Sequence, residues 1–283
     1  MPHIPDPTLY AIPAFIAALL IESVLLRRLR ARGRDVLGYM ARDTWASLAM
    51  GVGSVVFVTL INTAVFLLAG KLYPHRVVDV GSGALGWVVA MLGWDFAFYW
   101  HHRWEHEVRL FWACHVNHHS SRYFNFSTAL RQPWTPFLGI VLYPPLALVG
   151  VTPEMILIAG GLNLIFQFWV HTEAVGKLPR FVELVFNTPS HHRVHHGKNE
   201  QYLDKNYAGI FILWDRLFGT FEEERERVVY GLTHDIETYN PLRIAFHEYA
   251  AIGRDVARSR SFGEALNRTF RGPGWKPGDA KAR

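Results

Sequence analysis

Of the 15 histidines in this chain of 283 residues, eleven fall between His101 and His196. They form three clusters and a singleton: His102-Arg-Trp-Glu-His106, His115-Val-Asn-His118-His119 and His192-Arg-Val-His195-His196, with His171 alone ahead of Thr172 and Glu173. Residues three or four apart on a helix share a face, so His102 with His106, and each His-x-x-His-His trio, are expected to point one way. Each cluster would then offer two or three imidazoles to one centre. His101 and His191 stand one residue earlier, about 100° around the helix, which suits a supporting or surface role better than ligation. The facing positions number nine. That is too many for one tetrahedral zinc, and enough for two ions that each keep a position open for oxygen. Imidazole suits zinc, copper, iron and nickel alike, so ligand type alone does not name the metal.

Carboxylates near the clusters could support the rings. Asp95 lies seven residues before His102, nearly on the same face, and could orient that ring through its other nitrogen. An acid there could equally cap a helix or pair with an arginine. Glu107 and Glu173 are candidate carboxylate ligands or hydrogen-bond acceptors, against the plainer reading of solvated helix charges. The aromatics around the first two clusters (Phe96, Phe98, Tyr99, Trp100, Trp104, Phe111 and Trp112) read mainly as an interfacial belt, some of them as walls of an acyl-chain tunnel. A histidine pH sensor has no need for matched same-face groups. A metal transporter would place its ligands near the bilayer midplane on broken helices, whereas these clusters follow the ends of apolar runs.

The elements that must hold these residues are membrane helices. Half of the chain is hydrophobic and 19% is charged, but the apolar residues gather in the first 170 positions or so. Leu9–Leu26, Trp45–Ala69 and Ala84–Trp100 read as spans; the first has roughly 18 residues and a length of about 27 Å. Trp134–Val151 and Glu154–Val170 form a hairpin, with Pro144 and Pro145 implying a kink or a re-entrant arm, giving four or five spans in all. Arg27, Arg28, Arg30, Arg32 and Arg34 put the end of the first span in the cytoplasm by the positive-inside rule. The histidine clusters and the C-terminus then share that side.

The expected architecture is an all-α integral membrane protein: transmembrane helices over 1–100, a cytoplasmic segment over 101–133, a hairpin over 134–171, a cytoplasmic helical cap over 172–250 and a basic tail over 251–283 that is loose or lies on the headgroups. The stretch Met1-Pro-His-Ile-Pro-Asp6 carries no signal-peptide pattern. The formal charge of +5 reads as topological: basic residues sit beside apolar runs and form no stripe interleaved with aromatics, so no nucleic-acid partner is expected. The one cysteine, Cys114, excludes an internal disulfide and a cysteine-bound iron–sulfur cluster, and no flavin or nicotinamide glycine fingerprint is present. A separate electron donor is implied; the oligomeric state is not legible.

These motifs resemble the fatty acid hydroxylase and sterol desaturase superfamily of membrane di-iron enzymes, from Asp95-Phe-Ala-Phe-Tyr-Trp100 into the first cluster and onward through all three. The stretches His118–Ser121, Asn125–Gln132, Phe166–Glu173, Asn187–Gly197, Asp204–Tyr207, Trp214–Phe221 and Tyr230–His234 are similar to the alkylglycerol monooxygenase branch. The resemblance implies two iron ions held by His102, His106, His115, His118, His119, His171, His192, His195 and His196, with Glu107 a supporting acid. It also implies O2-dependent attack on a C–H bond of a membrane lipid. In that branch tetrahydrobiopterin is the external reductant, and the carbon beside an alkylglycerol ether oxygen is hydroxylated to a hemiacetal that falls apart into glycerol and a fatty aldehyde. Motif spacing does not separate hydroxylation from desaturation by the same superfamily.

Overall fold

The computed structural model describes residues 7–278. The Met1–Asp6 stretch and the last five residues of the expected basic tail lie outside the described residues. Regular structure among them is helical, with two isolated bridges, Phe186 to Phe211 and Gly197 to Tyr230.

Helices α1 (Pro7–Ala31) and α2 (Ala41–Leu72) come from the two longest apolar runs, and both are long and apolar enough to cross a membrane. A core helix of a soluble protein would be mostly buried. Here only 11% and 17% of the most apolar windows are covered, and Tyr10, Leu20, Ile21, Val52, Val56 and Leu60 face outward. Apolar faces of this extent are what a bilayer covers, so the chain is membrane-associated. α1 nonetheless belongs to the fold, since Phe15 stacks on Phe168 at 4.2 Å and Glu22 is buried.

Helix α3 (Ala84–Glu107) runs on past Trp100, so His102 and His106 ride the same rigid rod as the apolar run before them. Extended backbone at Val108 breaks the rod, and α4 (Arg109–His119) doubles back against its last turns. α5 (Phe126–Ala129) is a single turn held by a capping box between Asn125 and Thr128. The run Trp134–Val151 is not one helix. It folds as α6 (Gly139–Leu142) followed by a 3-10 segment, Pro144–Val149, because two successive prolines remove the amide donors an α-helix would need. One side of this irregular arm packs on protein, with Tyr143, Pro144 and Ala147 buried and Tyr143 stacked on Trp94 at 4.5 Å, while Val141 and Val149 face outward. It ends at Gly150 (φ 88°), a left-handed position where a Cβ would stand 2.5 Å from the Val78 carbonyl oxygen. α7 (Pro153–Trp169), capped by the Thr152 hydroxyl, returns the chain to His171.

Beyond it lie α8 (Arg180–Val185), α9 (Pro189–His195) and α10 (Leu213–Phe218), short helices joined by loops. Then come α11 (Pro241–Ala257) and α12 (Phe262–Phe270). Of the basic tail over 251–283, the part through Phe270 is mostly helix and not loose, docked on α4 by Arg109, which bonds Glu248, Asp255 and the Arg268 carbonyl.

Candidate metal centre

All nine facing histidines converge, but not cluster by cluster. Ligand atoms of His102, His106, His115, His119 and His195 lie within 4.8 Å of one another, and those of His118, His171, His192 and His196 form a second such group. The expectation that each trio serves one centre is therefore corrected. At 100° per residue, positions i and i+4 differ by about 40° while i+3 and i+4 differ by about 100°. His115 and His119 accordingly stay together and His118 crosses to the other group; His192 and His196 stay together and His195 crosses. The two trios thus straddle both groups, whose rings adjoin, with His119 and His196 stacked at 4.3 Å.

The outer nitrogens of four rings are tied down by backbone carbonyls. His102 Nδ1 is 2.8 Å from the Tyr207 carbonyl oxygen, His118 Nδ1 is 3.2 Å from that of Arg131, His171 Nδ1 is 2.7 Å from that of Gln167, and His195 Nδ1 is 3.0 Å from that of Lys205. A carbonyl only accepts, so each Nδ1 carries the proton and each Nε2 turns a lone pair inward. Those inward nitrogens nearly touch: His102 to His115 is 3.0 Å, His118 to His171 is 3.1 Å and His171 to His192 is 2.9 Å. Where both outer nitrogens donate, as in His118 and His171, no hydrogen lies between the two lone pairs.

A shared cation resolves that repulsion. Two nitrogens at about 2.1 Å from one ion stand about 3.0 Å apart at a right angle and about 3.4 Å at the tetrahedral angle. The observed separations fit a metal with adjacent ligands at right angles better than a tetrahedral one. His106 Nε2 and His195 Nε2 are buried with no hydrogen-bond partner, again as ligand atoms would be. Burial first, and neighbouring imidazoles second, hold His115, His119, His195 and His196 well below the ordinary histidine range, and burial pushes His118 down to about 4. These five rings are thus neutral lone-pair donors at physiological pH.

The carboxylates fall otherwise than the sequence suggests. Asp95 does not reach His102; it is fully buried and accepts from Ile210 N (2.7 Å), Phe211 N (3.1 Å), Trp214 Nε1 (2.9 Å) and Asn163 Nδ2 (2.7 Å). It thereby ties α3 and α7 to the 206–214 loop. Gly209 permits this approach, since a Cβ there would lie 2.7 Å from Asp95 Oδ1. Glu107 points away from both groups and pairs with Arg103 at 2.8 Å. Glu173 holds Arg227 and the Leu37 amide. The buried carboxylate beside the centre is Glu105, which sequence reading missed: its oxygens lie 3.2 Å from His115 Nδ1 and 3.3 Å from His101 Nε2. Its signal was its place four residues after His101. Asp215 was also missed as a site residue. It accepts from Tyr207 N and Ala208 N at 2.8 Å, fixing the loop whose carbonyl holds His102. His101 and His191 are buried supports, bonded to Tyr143 and Glu183.

Comparison with known proteins follows the same residues. The family model described as fatty acid hydroxylase matches residues 87–220. The chain is 40% identical over 281 residues to alkylglycerol monooxygenase of Homo sapiens and 39% identical over 281 residues to that of Danio rerio, in each case over 98% of this chain and 61% of the relative. It is 25% identical over 194 residues to lathosterol oxidase of Mus musculus, covering 65% of this chain and 63% of that protein. The chain thus spans about three fifths of the length of the alkylglycerol monooxygenases it matches. No solved structure matches.

Proposed function

We propose, from the match of residues 87–220 to the family model described as fatty acid hydroxylase and the similarity to alkylglycerol monooxygenases, that this chain is a membrane-bound, O2-dependent lipid hydroxylase with two iron ions. One ion is assigned to His102, His106, His115, His119 and His195, the other to His118, His171, His192 and His196. The carrying observation is the set of inward Nε2 pairs about 3 Å apart whose outer nitrogens are already committed. When bound, iron supplies the O2 activation and one-electron chemistry that side chains lack.

The protein's own share is positional. Backbone carbonyls of Tyr207, Arg131, Gln167 and Lys205 fix four rings, and the Glu105 carboxylate holds the proton on His115 Nδ1. Asp95 and Asp215 act one step further out, by fixing the loops that present those carbonyls. Glu107 is left outside this set. Burial of all nine rings excludes bulk water from the reacting face.

The similarity to alkylglycerol monooxygenases supports an ether lipid as substrate, hydroxylated at the carbon beside the ether oxygen, with an external donor such as tetrahydrobiopterin. The arginines after α1 support a cytoplasmic metal end. Five segments would cross the lipid layer: α1, α2, the first part of α3, the α6 to Val149 arm and α7. The test is anaerobic purification with a metal count, then incubation of the purified protein with lipid extract, tetrahydrobiopterin as electron donor and isotopically heavy O2. Roughly two irons per chain and a labelled fatty aldehyde are expected. Oxygen-inert zinc, with metal flux into vesicles, would overturn the oxygenase reading. A new double bond without label would replace hydroxylation by desaturation.

A further inference from the structure

A groove of about 500 Å3 opens between the C-terminal end of α1 and the N-terminal end of α2. Its lining combines two chemistries. Leu26, fully buried, and Leu48 make an apolar floor, while Arg27 and Arg30, one helical turn apart, stand on one rim. Trp45 stands on the other, with its indole 71% exposed. Arg109, Arg122, Arg131, Arg193 and Arg227 each hold a carboxylate elsewhere in the molecule, but among the described residues neither rim guanidinium is paired. The Arg28, Leu29 and Arg30 carbonyls near the end of α1 accept from Arg32 N, Gly33 N and Arg34 N, which leaves the arginine side chains as the main charge at this helix end.

The groove is also built rather than accidental. Tyr39 in its wall donates to Glu22, which further accepts from the Thr172 hydroxyl and from Phe126 N. That carboxylate pins α1, the loop after it and the residue next to His171 into one arrangement. The mouth therefore keeps its shape without an occupant.

We propose that this groove binds one anionic glycerophospholipid, its phosphate between Arg27 and Arg30 and one acyl chain over Leu26 and Leu48 beside Trp45. Charge complementarity selects the anion, and the apolar floor, continuous with the outward faces of α1 and α2, selects a lipid over a free anion. The proposal rests on the membrane reading of α1 and α2 and is independent of the oxygenase chemistry, so its test reads binding alone.

The full-length protein in detergent is titrated with phosphatidylglycerol carrying brominated acyl chains, and tryptophan quenching is followed. Subtracting the signal of Trp45→Phe isolates the groove. Arg27→Gln/Arg30→Gln is expected to raise the half-quenching concentration about tenfold or more. Arg32→Gln/Arg34→Gln, which removes the same charge outside the groove, is expected to change it less than about twofold. Equal weakening by both pairs, equal quenching by phosphatidylcholine, displacement by millimolar inorganic phosphate, or no quenching of Trp45 would each overturn the site.

Discussion

The two histidine groups share α4 and α9 but draw their other rings from α3 in one case and from the end of α7 in the other, and they are anchored differently. The five-membered group has a buried carboxylate behind one ring, Glu105 behind His115, besides the carbonyls of Tyr207 and Lys205. The four-membered group has carbonyls only, from Arg131 and Gln167, and the Arg131 guanidinium is itself buried against Asp43 nearby. A carboxylate raises the basicity of the ring it holds, whereas a carbonyl mainly fixes its tautomer. The difference teaches that the five-membered group is the more electron-rich, and that an ion there is expected to be held more tightly.

The widest break in that comparison comes from removing one ligand on each side. His119→Ala and His171→Ala are each expected to take the metal content from about two ions per chain to about one, with hydroxylation lost in both. Elemental analysis of the purified variants checks this. If either substitution empties both groups, or neither, the two are not separate sites. Acid acts next in size, and on the metal-free protein. His118 is held at about 4 by burial, so between about 6.5 and 4 the unfolded chain binds a proton that the folded one refuses. Its contribution is present above that window and lost as pH falls through it, about 3 kcal/mol from this one ring. Thermal unfolding of metal-free protein from pH 7 to 4 should show the loss. Metal-loaded protein should resist to lower pH, because bound metal competes with the proton.

Much of the centre was legible in sequence for a simple reason: ligand candidacy needs only residue type and helical spacing, and eight of the nine positions sit at that spacing, His171 standing alone. Their division was harder to read. Helix phase turns His118 away from His115 and His119, and His195 away from His192 and His196, but which group each then joins depends on where α4 and α9 lie between the two, and that is not recorded locally. Pro144 and Pro145 announced the broken arm because proline acts on its own backbone. The break at Val108 carries no glycine or proline and is imposed by packing. Asp95 was legible as a buried acid needing partners, but its partners Ile210 and Phe211 are more than a hundred residues away, beyond any local pattern. Glu107 was named from its motif position and Glu105 went unnamed, although Glu105 lies three residues after His102 and four after His101, a helix phase that turns it toward the centre.

That last pair gives the smaller effects and the sharpest control. Two residues on a helix differ by about 200°, so Glu105 turns inward to His115 while Glu107 turns outward, 42% exposed, to Arg103. Glu105→Gln keeps the shape and removes the charge; an ion in the five-membered group should then bind about 10- to 100-fold more weakly, with the four-membered group unchanged, as competition with a chelator would reveal. Glu107→Gln removes only a solvated pair worth at most about 0.5 kcal/mol. Its chelator curve should overlay that of the parent protein. Were Glu107→Gln instead to match the loss at Glu105, charge at the end of α3 would be acting at a distance, and the contrast between a carboxylate-backed group and a carbonyl-backed one would lose its physical basis.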